Sequence, residues 1–241
     1  MAKILAGPQA ADPAGVASAK RLMRLARTGA LATLEQEGGP LTTLVGVASD
    51  FDGAPLFLMS ALSRHTRNLA FDDRASLLLT ERRDRGDPLN HPRLTLGGSV
   101  LRCSDPRAGL RYLRRNPKAR LYSSFADFAH FRLRVESVHF NGGFGRASSM
   151  TPADILASRE GEEELSQVEP RLLDEINARA GVAARLAGTK RGGRLVWRAV
   201  GLDGEGVDLA CGARTGRAQF LSPARDEASW RTRIEELLDA G

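Results

Sequence analysis

The sequence predicts an α+β fold, in which a small closed antiparallel barrel of six strands, interrupted by helices, is followed by a smaller α/β unit. Short apolar runs follow one another with turn residues between them, which indicates a β-meander rather than a βαβ unit. Helical spacing of apolar residues interrupts these runs in several places. After Met150 the composition changes and a second pattern of helices and strands begins.

The order of elements up to residue 150 is typical of a barrel with flanking helices. The predicted strands cover residues 30–34, 41–48, 56–59, 75–80, 93–101 and 131–140. The predicted helices cover residues 13–27, a segment that starts at Ser63, residues 106–113 and residues 118–128. Gly97-Gly98 inside the fifth strand predicts a bulge or the close approach of another group. Six such antiparallel strands can close into a small barrel.

The rest of the chain predicts a second, smaller αβββα domain. Its first helix is expected near residues 169–186 and its strands at residues 194–200, 207–211 and 217–220. A closing helix over residues 226–238 places Trp230, Ile234 and Leu237 on its apolar face. We therefore divide the chain into residues 1–150 and 151–241.

Composition excludes several classes of protein. No apolar run approaches the roughly 18–20 residues that span a bilayer, and residues 1–8 lack the apolar core of a secretory signal. The sequence thus predicts a cytoplasmic protein without a membrane partner. Two distant cysteines, Cys103 and Cys211, give neither a disulfide framework nor the spacing of a zinc site.

The positive charge of the chain is concentrated in one segment. The net charge is +6, but residues 81–134 carry 13 basic and 5 acidic residues, a balance of +8. Such a segment could bind a polyanion. We favour a solvated basic face at Arg111, Arg114 and Arg115, so nucleic acid is disfavoured as a partner.

An anion cradle is predicted where the third strand ends. Ser60, Ser63 and Thr66 offer hydroxyl groups, and a helix starts within this segment. The free N–H groups of a helix N-terminus and its dipole favour an anion, and Arg64 could clamp a phosphate with two hydrogen bonds. The alternative is a capped surface helix with a solvated arginine. Composition and spacing leave both interpretations open.

Several motifs together resemble a known family. The motifs are Ser60-x-x-x-Arg64-His65-Thr66-x-Asn68-Leu69, the segment from Asp87-Pro88 to Gly97-Gly98, and Gly142-Gly143-Phe144-Gly145-Arg146-Ala147. In this order they resemble the pyridoxamine 5'-phosphate oxidase-like split β-barrel proteins, in the branch of HugZ-type haem-utilisation proteins. The resemblance implies a six-stranded FMN-binding type of split barrel with the appended α/β domain.

The resemblance also implies a homodimer with ligand sites at the subunit interface and a small-molecule substrate. In flavin-binding relatives the strand-to-helix segment holds the FMN phosphate, which corresponds here to Ser60, Ser63, Arg64, His65 and Thr66. Thr42 and Thr43 correspond to residues that line the flavin ring, and Arg93 to one that meets its polar edge. These residues are the predicted cofactor site, and no catalytic proton donor is identified.

Haem is the alternative cofactor. HugZ-type relatives that degrade haem use an axial histidine from the C-terminal region, but this chain has no histidine beyond His139. Haem would then need His130 or His139 as its ligand, and Arg132 or Arg134 could pair with its propionates. A lone histidine in a strand is more often packed or solvated than a ligand.

Three classes of function follow. The first is an FMN-dependent oxidoreductase, of oxidase or reductase type, related to haem utilisation. The second is a flavin-free protein that binds or degrades haem. The third is a non-catalytic ligand or polyanion binder that uses the basic segment.

Overall fold

The computed structural model describes residues 9–10, 12–81, 86–143, 147–189 and 196–239. The helices are α1 (Pro13–Leu25), α2 (Arg64–Phe71), α3 (Pro106–Arg115), α4 (Pro152–Ile155), α5 (Glu162–Ala178), α6 (Val182–Leu186) and α7 (Glu227–Asp239). The strands are β1 (Gln9–Ala10), β2 (Thr28–Leu34), β3 (Pro40–Gly46), β4 (Ala48–Ser49), β5 (Pro55–Ser60), β6 (Arg74–Thr80), β7 (Arg93–Arg102), β8 (Phe128–Asn141), β9 (Ala147–Met150), β10 (Arg198–Asp203), β11 (Gly206–Cys211) and β12 (Arg214–Gln219). Among these residues no helix has both the length and the apolar content to cross a membrane.

The α+β class and the antiparallel character of the main sheet are confirmed. The strands run in the order β1-β9-β8-β7-β6-β2-β3, and β5 joins the sheet at β8 and also pairs with β4. The described sheet therefore has nine strands rather than six. The additional strands β1, β4 and β9 are two to four residues long, too short for the alternation of hydrophobicity that reveals a strand in a sequence.

A bulge interrupts the pairing of β7 with β8 at Gly97 and Gly98, as their sequence predicts. A Cβ atom at Gly98 would lie 1.9 Å from the carbonyl oxygen of Arg134, and one at Gly97 would lie 2.4 Å from Oγ of Ser137. Only glycine allows the two backbones to approach this closely. The bulge bends the long strand β8, which lets it pair with β7 and with β5.

The described residues form two large apolar cores, and Ala19, Leu22 and Met23 of α1 belong to the first of them. The first core fills the barrel with residues such as Leu31, Leu77, Leu96 and Leu133, which are fully buried. Ile155 of α4 also belongs to it. The second core lies between the three-stranded sheet β10-β11-β12 and the helices α5, α6 and α7. Phe51, which comes from the turn between β4 and β5, packs into this second core.

Helix α3 carries the basic residues for which the sequence predicts a solvated face, and that prediction is wrong. Arg111 and Arg115 are buried. Nη1 of Arg111 donates to Oε1 of Glu169 at 2.6 Å, and Nη1 of Arg114 donates to Oε2 of the same carboxylate at 2.7 Å. Because these contacts join α3 to α5, some of the charge of the basic segment is neutralised by acids of the C-terminal region.

A second set of buried charges joins α1 to the small sheet. Nη1 of Arg24 lies 3.1 Å from Oδ2 of Asp203. Arg217 contacts Oδ1 of Asp203 and Oδ1 of Asp208, each at 2.8 Å. All four side chains are less than a tenth exposed. The contact between α1 and the small sheet is therefore polar, since each ion in it has a partner from another element.

Two other predictions differ from the structure. Residues 118–128 do not form a helix beyond one short 3₁₀ turn, Pro117–Leu121, and β8 already begins at Phe128. The predicted helix over residues 169–186 is divided into α5 and α6. Gly181, in the left-handed conformation with φ of 76°, occupies the N-cap position before α6. The first C-terminal strand is shifted to Arg198–Asp203, and residues 194 and 195 of its predicted range lie outside the described residues.

Candidate functional site

The structure distributes the predicted site residues over three places. The N-terminal end of α2 and its surroundings hold one group: Thr43, Ser60, Ser63, Arg64, His65 and Thr66. The outer face of the barrel sheet, which points away from the core, holds Thr42, Arg93 and His139. His130 lies in a third place, under α3. Thr42 and Thr43 are neighbours on β3 and point to opposite faces, so within one chain they cannot line the same ring.

Helix α2 begins without a side-chain cap. Ser63 occupies the N-cap position with an extended backbone, but its hydroxyl makes no hydrogen bond to the first turn. The hydroxyl oxygen of Thr66 is buried and has no hydrogen-bond partner. Thr66 also lines a pocket of about 700 Å³ whose apolar wall includes Leu69, Phe71 and Phe131. Uncapped N–H groups and a hydroxyl without a partner are groups that an acceptor-rich ligand could satisfy.

Carboxylates reduce the positive charge of this cradle. Arg64 forms an ion pair with Glu35 on the surface, and its guanidinium is therefore not free to clamp a phosphate as its sequence context predicts. Oγ of Ser60 donates to Oδ2 of Asp127 at 2.5 Å. An incoming phosphate would have to displace Glu35 and tolerate the neighbouring charge of Asp127. The cradle thus has the donors but lacks the net charge of a strong phosphate site.

His65 lies between α2 and β3. Its Nδ1 is 3.0 Å from Oγ1 of Thr43, which places both side chains on the core side of β3. Burial disfavours the imidazolium ion and lowers the pKa of His65 below its ordinary value. Burial therefore works against a positive charge on His65 in the cradle.

The outer face of the barrel sheet carries an unbroken row of side chains across five strands. Strand pairing aligns these residues: Leu44, Ala30, Leu78, Thr95 and His139. Leu44 is 76% exposed, Leu78 is 37% exposed and His139 is also exposed. Adjacent strands are about 4.8 Å apart, so Leu78 and His139 are separated by roughly 10 Å. The row thus places apolar surface and an accessible imidazole side by side.

A neighbouring row leaves the same face without bulky side chains. It consists only of small residues: Thr42, Ala32, Ser76, Gly97 and Ser137. None of these side chains extends far from the sheet, so a planar group can approach the backbone closely. The other predicted residue here, Arg93, lies two positions from Thr95 on β7, about 7 Å along the strand. Its Nη1 donates to the carbonyl oxygen of Leu89 at 2.7 Å.

His130 is packed rather than available to a ligand. Its Nε2 would lie 3.1 Å from a Cβ atom at Gly109, and its ring contacts Tyr112 edge-on with centroids 5.7 Å apart. Burial lowers the pKa of His130 and raises that of Tyr112 to about 12. The two arginines considered for haem propionates are also engaged, because Arg132 contacts Asp50 and Asp52 and Arg134 contacts Glu136.

The sequence did not predict that the residues of the outer face form one continuous surface. The signal was present, because Ala30 and Ala32 flank the core residue Leu31 on β2, and Ser76 precedes the core residue Leu77 on β6. The register between neighbouring strands aligns these positions into two rows across the sheet, and a single sequence does not show that register. Of the motif around Gly143, residues 144–146 lie outside the described residues.

Comparison with family models and curated proteins gives two findings. The family model described as "CREG, beta-barrel" matches residues 10–156. The chain is also similar to the chloroplastic heme oxygenase HOZ of Arabidopsis thaliana, with 36% identity over 124 residues. This match covers 49% of the chain and 37% of the Arabidopsis protein, so it spans well under half the length of that relative.

Two solved structures resemble the whole chain. The protein Atu2129 of Agrobacterium tumefaciens, of unknown function, has 34% identity and a TM-score of 0.83, with 98% of this chain and 100% of that chain covered. A heme-binding protein from Mycobacterium smegmatis has 28% identity and a TM-score of 0.56, with 95% and 98% covered. The first similarity includes the C-terminal region as well as the barrel.

Proposed function

The chain belongs to the CREG beta-barrel family, and from this premise we propose that it binds haem and acts in haem utilisation. Similarity to the Arabidopsis heme oxygenase and to the mycobacterial heme-binding protein supports haem as the ligand class. The single observation that carries the proposal is the outer face of the barrel sheet. This one surface combines a row of small side chains, exposed leucines and an accessible histidine.

The proposed roles follow from the chemistry of each side chain. His139 is the iron ligand, because it is the predicted histidine that is exposed on this face. Leu44 and Leu78 contact the apolar ring, whose burial from water drives binding. Arg93, for which no carboxylate partner is found among the described residues, pairs with a propionate. When bound, haem supplies iron redox chemistry, and these residues bind and orient it.

We further propose that a second copy of the chain covers this face, so that the ligand lies between two subunits. An exposed sheet face with Leu44 and Leu78 is a patch that a partner would bury. Assignment to the HugZ-type branch, and the division of the chain at residue 150, remain predictions.

Leu44→Glu tests the dimer. The wild-type chain is expected to show a dimer mass by light scattering, and Leu44→Glu a monomer mass, because a charge would be buried in the interface. Leu221→Glu is the matched control, since Leu221 is 90% exposed in the C-terminal region and away from this face. A wild-type monomer, or loss of the dimer in the Leu221 variant alone, would contradict the proposed interface.

The experiment that tests haem binding is a titration of the purified chain with hemin, followed by absorbance. A sharp Soret band that saturates at a fixed ratio of hemin to chain is expected. A broad band that grows without saturation would indicate unspecific adsorption and would overturn the proposal.

FMN is the second candidate, and the uncapped start of α2 favours it. The phosphate would meet the N–H groups of the first turn and the hydroxyl of Thr66. Glu35 and Asp127 oppose it, as described above. FMN is therefore ranked below haem.

Thr66→Val tests whether that hydroxyl serves a ligand. In the absence of ligand, the variant is expected to be more stable by about 1 kcal/mol, because valine removes a buried hydroxyl that has no partner. Urea denaturation measures this change, and quenching of FMN fluorescence measures binding. If FMN binds to the wild-type chain and equally to Thr66→Val, the phosphate does not lie at α2.

A further inference from the structure

A large groove lies between the barrel and the small sheet, on the side of α1. Its volume is about 1280 Å³. One wall is the C-terminal end of α1 and the other is the hairpin of β11 and β12. Two hydrogen bonds hold the walls together: Oγ1 of Thr215 donates to the carbonyl of Leu25 at 2.9 Å, and Nη1 of Arg27 donates to that of Gly212 at 2.6 Å. The groove is thus a fixed feature of the fold.

The groove is lined by cations from three separate elements. Arg21 comes from α1, Lys118 from the 3₁₀ turn after α3, and Arg214 from the start of β12. Each is exposed, and none of them has a carboxylate partner among the described residues. Arg27 adds a fourth positive charge, and Glu81 is an acid that also lines the groove. Arg24, Arg111 and Arg217 are paired with acids at the contact between the two cores, whereas these three exposed cations lie in one groove without such a partner among the described residues.

An aromatic side chain lies in the same groove with an unused donor. Nε1 of Trp197 is buried and has no hydrogen-bond partner. The ring is held by Gly216, where a Cβ atom would lie 3.3 Å from Cζ3 of the indole. A buried indole N–H without an acceptor costs free energy unless a ligand or water satisfies it. The indole also offers a flat surface to a second ring.

We infer that this groove binds an organic anion in which a planar ring is joined to phosphate groups, which is the chemistry of a nucleotide. The phosphates contact Arg21, Lys118 and Arg214, and the ring stacks on the face of the Trp197 indole. The groove adjoins the outer face of the sheet, since Thr28, Gly46 and Thr80 line it and lie on that face. The contacts proposed here are made by other residues than those proposed for haem, and the inference does not depend on haem binding.

ADP is the probe for this site, and tryptophan fluorescence is the readout. The chain has two tryptophans, and Trp230 is fully buried in the C-terminal core, so a change on adding ADP is assigned to Trp197. Saturable quenching is expected with ADP. Adenosine carries the ring without the phosphates, and inorganic pyrophosphate carries the phosphates without the ring. Each is expected to bind at least about tenfold more weakly than ADP. The signal is expected to disappear in Trp197→Phe.

Calorimetry with charge variants completes the test. Arg21→Ala and Arg214→Ala are expected to weaken ADP binding about tenfold each, and Arg67→Ala, an exposed cation on α2, is expected to leave it unchanged. No heat and no quenching at millimolar ADP would overturn the inference. Pyrophosphate that binds as tightly as ADP would overturn the role of Trp197, and equal losses in all three arginine variants would show unspecific attraction by net charge.

Discussion

Asp203→Asn is expected to lower the free energy of unfolding by about 3–5 kcal/mol, the usual cost of removing one partner from a buried ion pair. The Asp203 side chain is fully buried and contacts Arg24 and Arg217. Asparagine keeps the size of the side chain but removes its negative charge. The two buried guanidinium groups of Arg24 and Arg217 then lose a carboxylate partner. Because the contacts join α1 to β10 and β12, the loss should weaken the attachment of the small sheet to the barrel.

The pH dependence of stability follows from the same contacts. Burial by itself raises the pKa of the Asp203 carboxyl, but the charges of Arg217 and Arg24 outweigh it and hold the pKa well below its ordinary value. A carboxyl with a lowered folded-state pKa contributes stability that is fully present above its unfolded pKa of about 4. This contribution is lost as the pH falls below that value. Asp203→Asn should therefore unfold with a weaker pH dependence below about pH 4.

Urea denaturation of the wild-type chain and the variant at pH 7 and at pH 3 measures both effects. Glu175→Gln is the matched control, because Glu175 forms exposed ion pairs with Arg171 and Arg231 and its loss should change stability little. A destabilisation in Asp203→Asn no greater than in Glu175→Gln would contradict the role given to the buried contacts. Two separate transitions in the variant would show that the barrel and the small sheet had been uncoupled.

His139→Ala is expected to abolish the saturable Soret band. Removal of an iron ligand should cost more than the roughly 10–100-fold in metal affinity that loss of an outer-shell partner costs. His139 is exposed in a regular stretch of β8, opposite Thr95, so its side chain supports little packing and the variant should fold. Added imidazole should restore the band in His139→Ala, because it replaces the missing ligand atom.

His65→Ala is the matched control for haem binding. His65 is half-buried beside Thr43, on the opposite side of β3, and should not contact a ligand on the outer face. Its variant is expected to bind hemin as the wild-type chain does. Loss of the Soret band in His65→Ala with retention in His139→Ala would move the ligand to α2 and would contradict the assignment to the outer face.

Much of the barrel could be predicted from the sequence because its strands have strong local signals. Leu94 and Leu96, the core leucines of β7, alternate with polar or small residues, and the apolar run at residues 77–79 is short enough for a buried strand. Gly97-Gly98 indicates the bulge that the structure contains. The segment at residues 118–128 was predicted wrongly because its apolar residues match a helical period. Tertiary contacts override this local pattern: Ala119, Tyr122 and Phe128 pack into a small cluster with Leu56 and Leu58.

The site was harder to predict than the fold. The segment from Ser60 to Thr66 could be found because its hydroxyls and charges are contiguous in sequence. Glu35 and Asp127, which reduce its charge, are distant along the chain, and no local pattern reveals them. Likewise, the burial of Arg111 and Arg115 depends on acceptors more than fifty residues away, so the charge of the segment alone indicated solvent.

Phe51 makes the packing of the C-terminal core depend on the presence of the barrel. Its ring comes from a turn of the barrel but fills a place in the other core. A gene rearrangement that separated the coding regions near residue 150 would leave an unfilled space in one product and an uncovered aromatic ring on the other. Each product would therefore need a further substitution at this place, on the barrel to replace the ring and in the other core to fill the space.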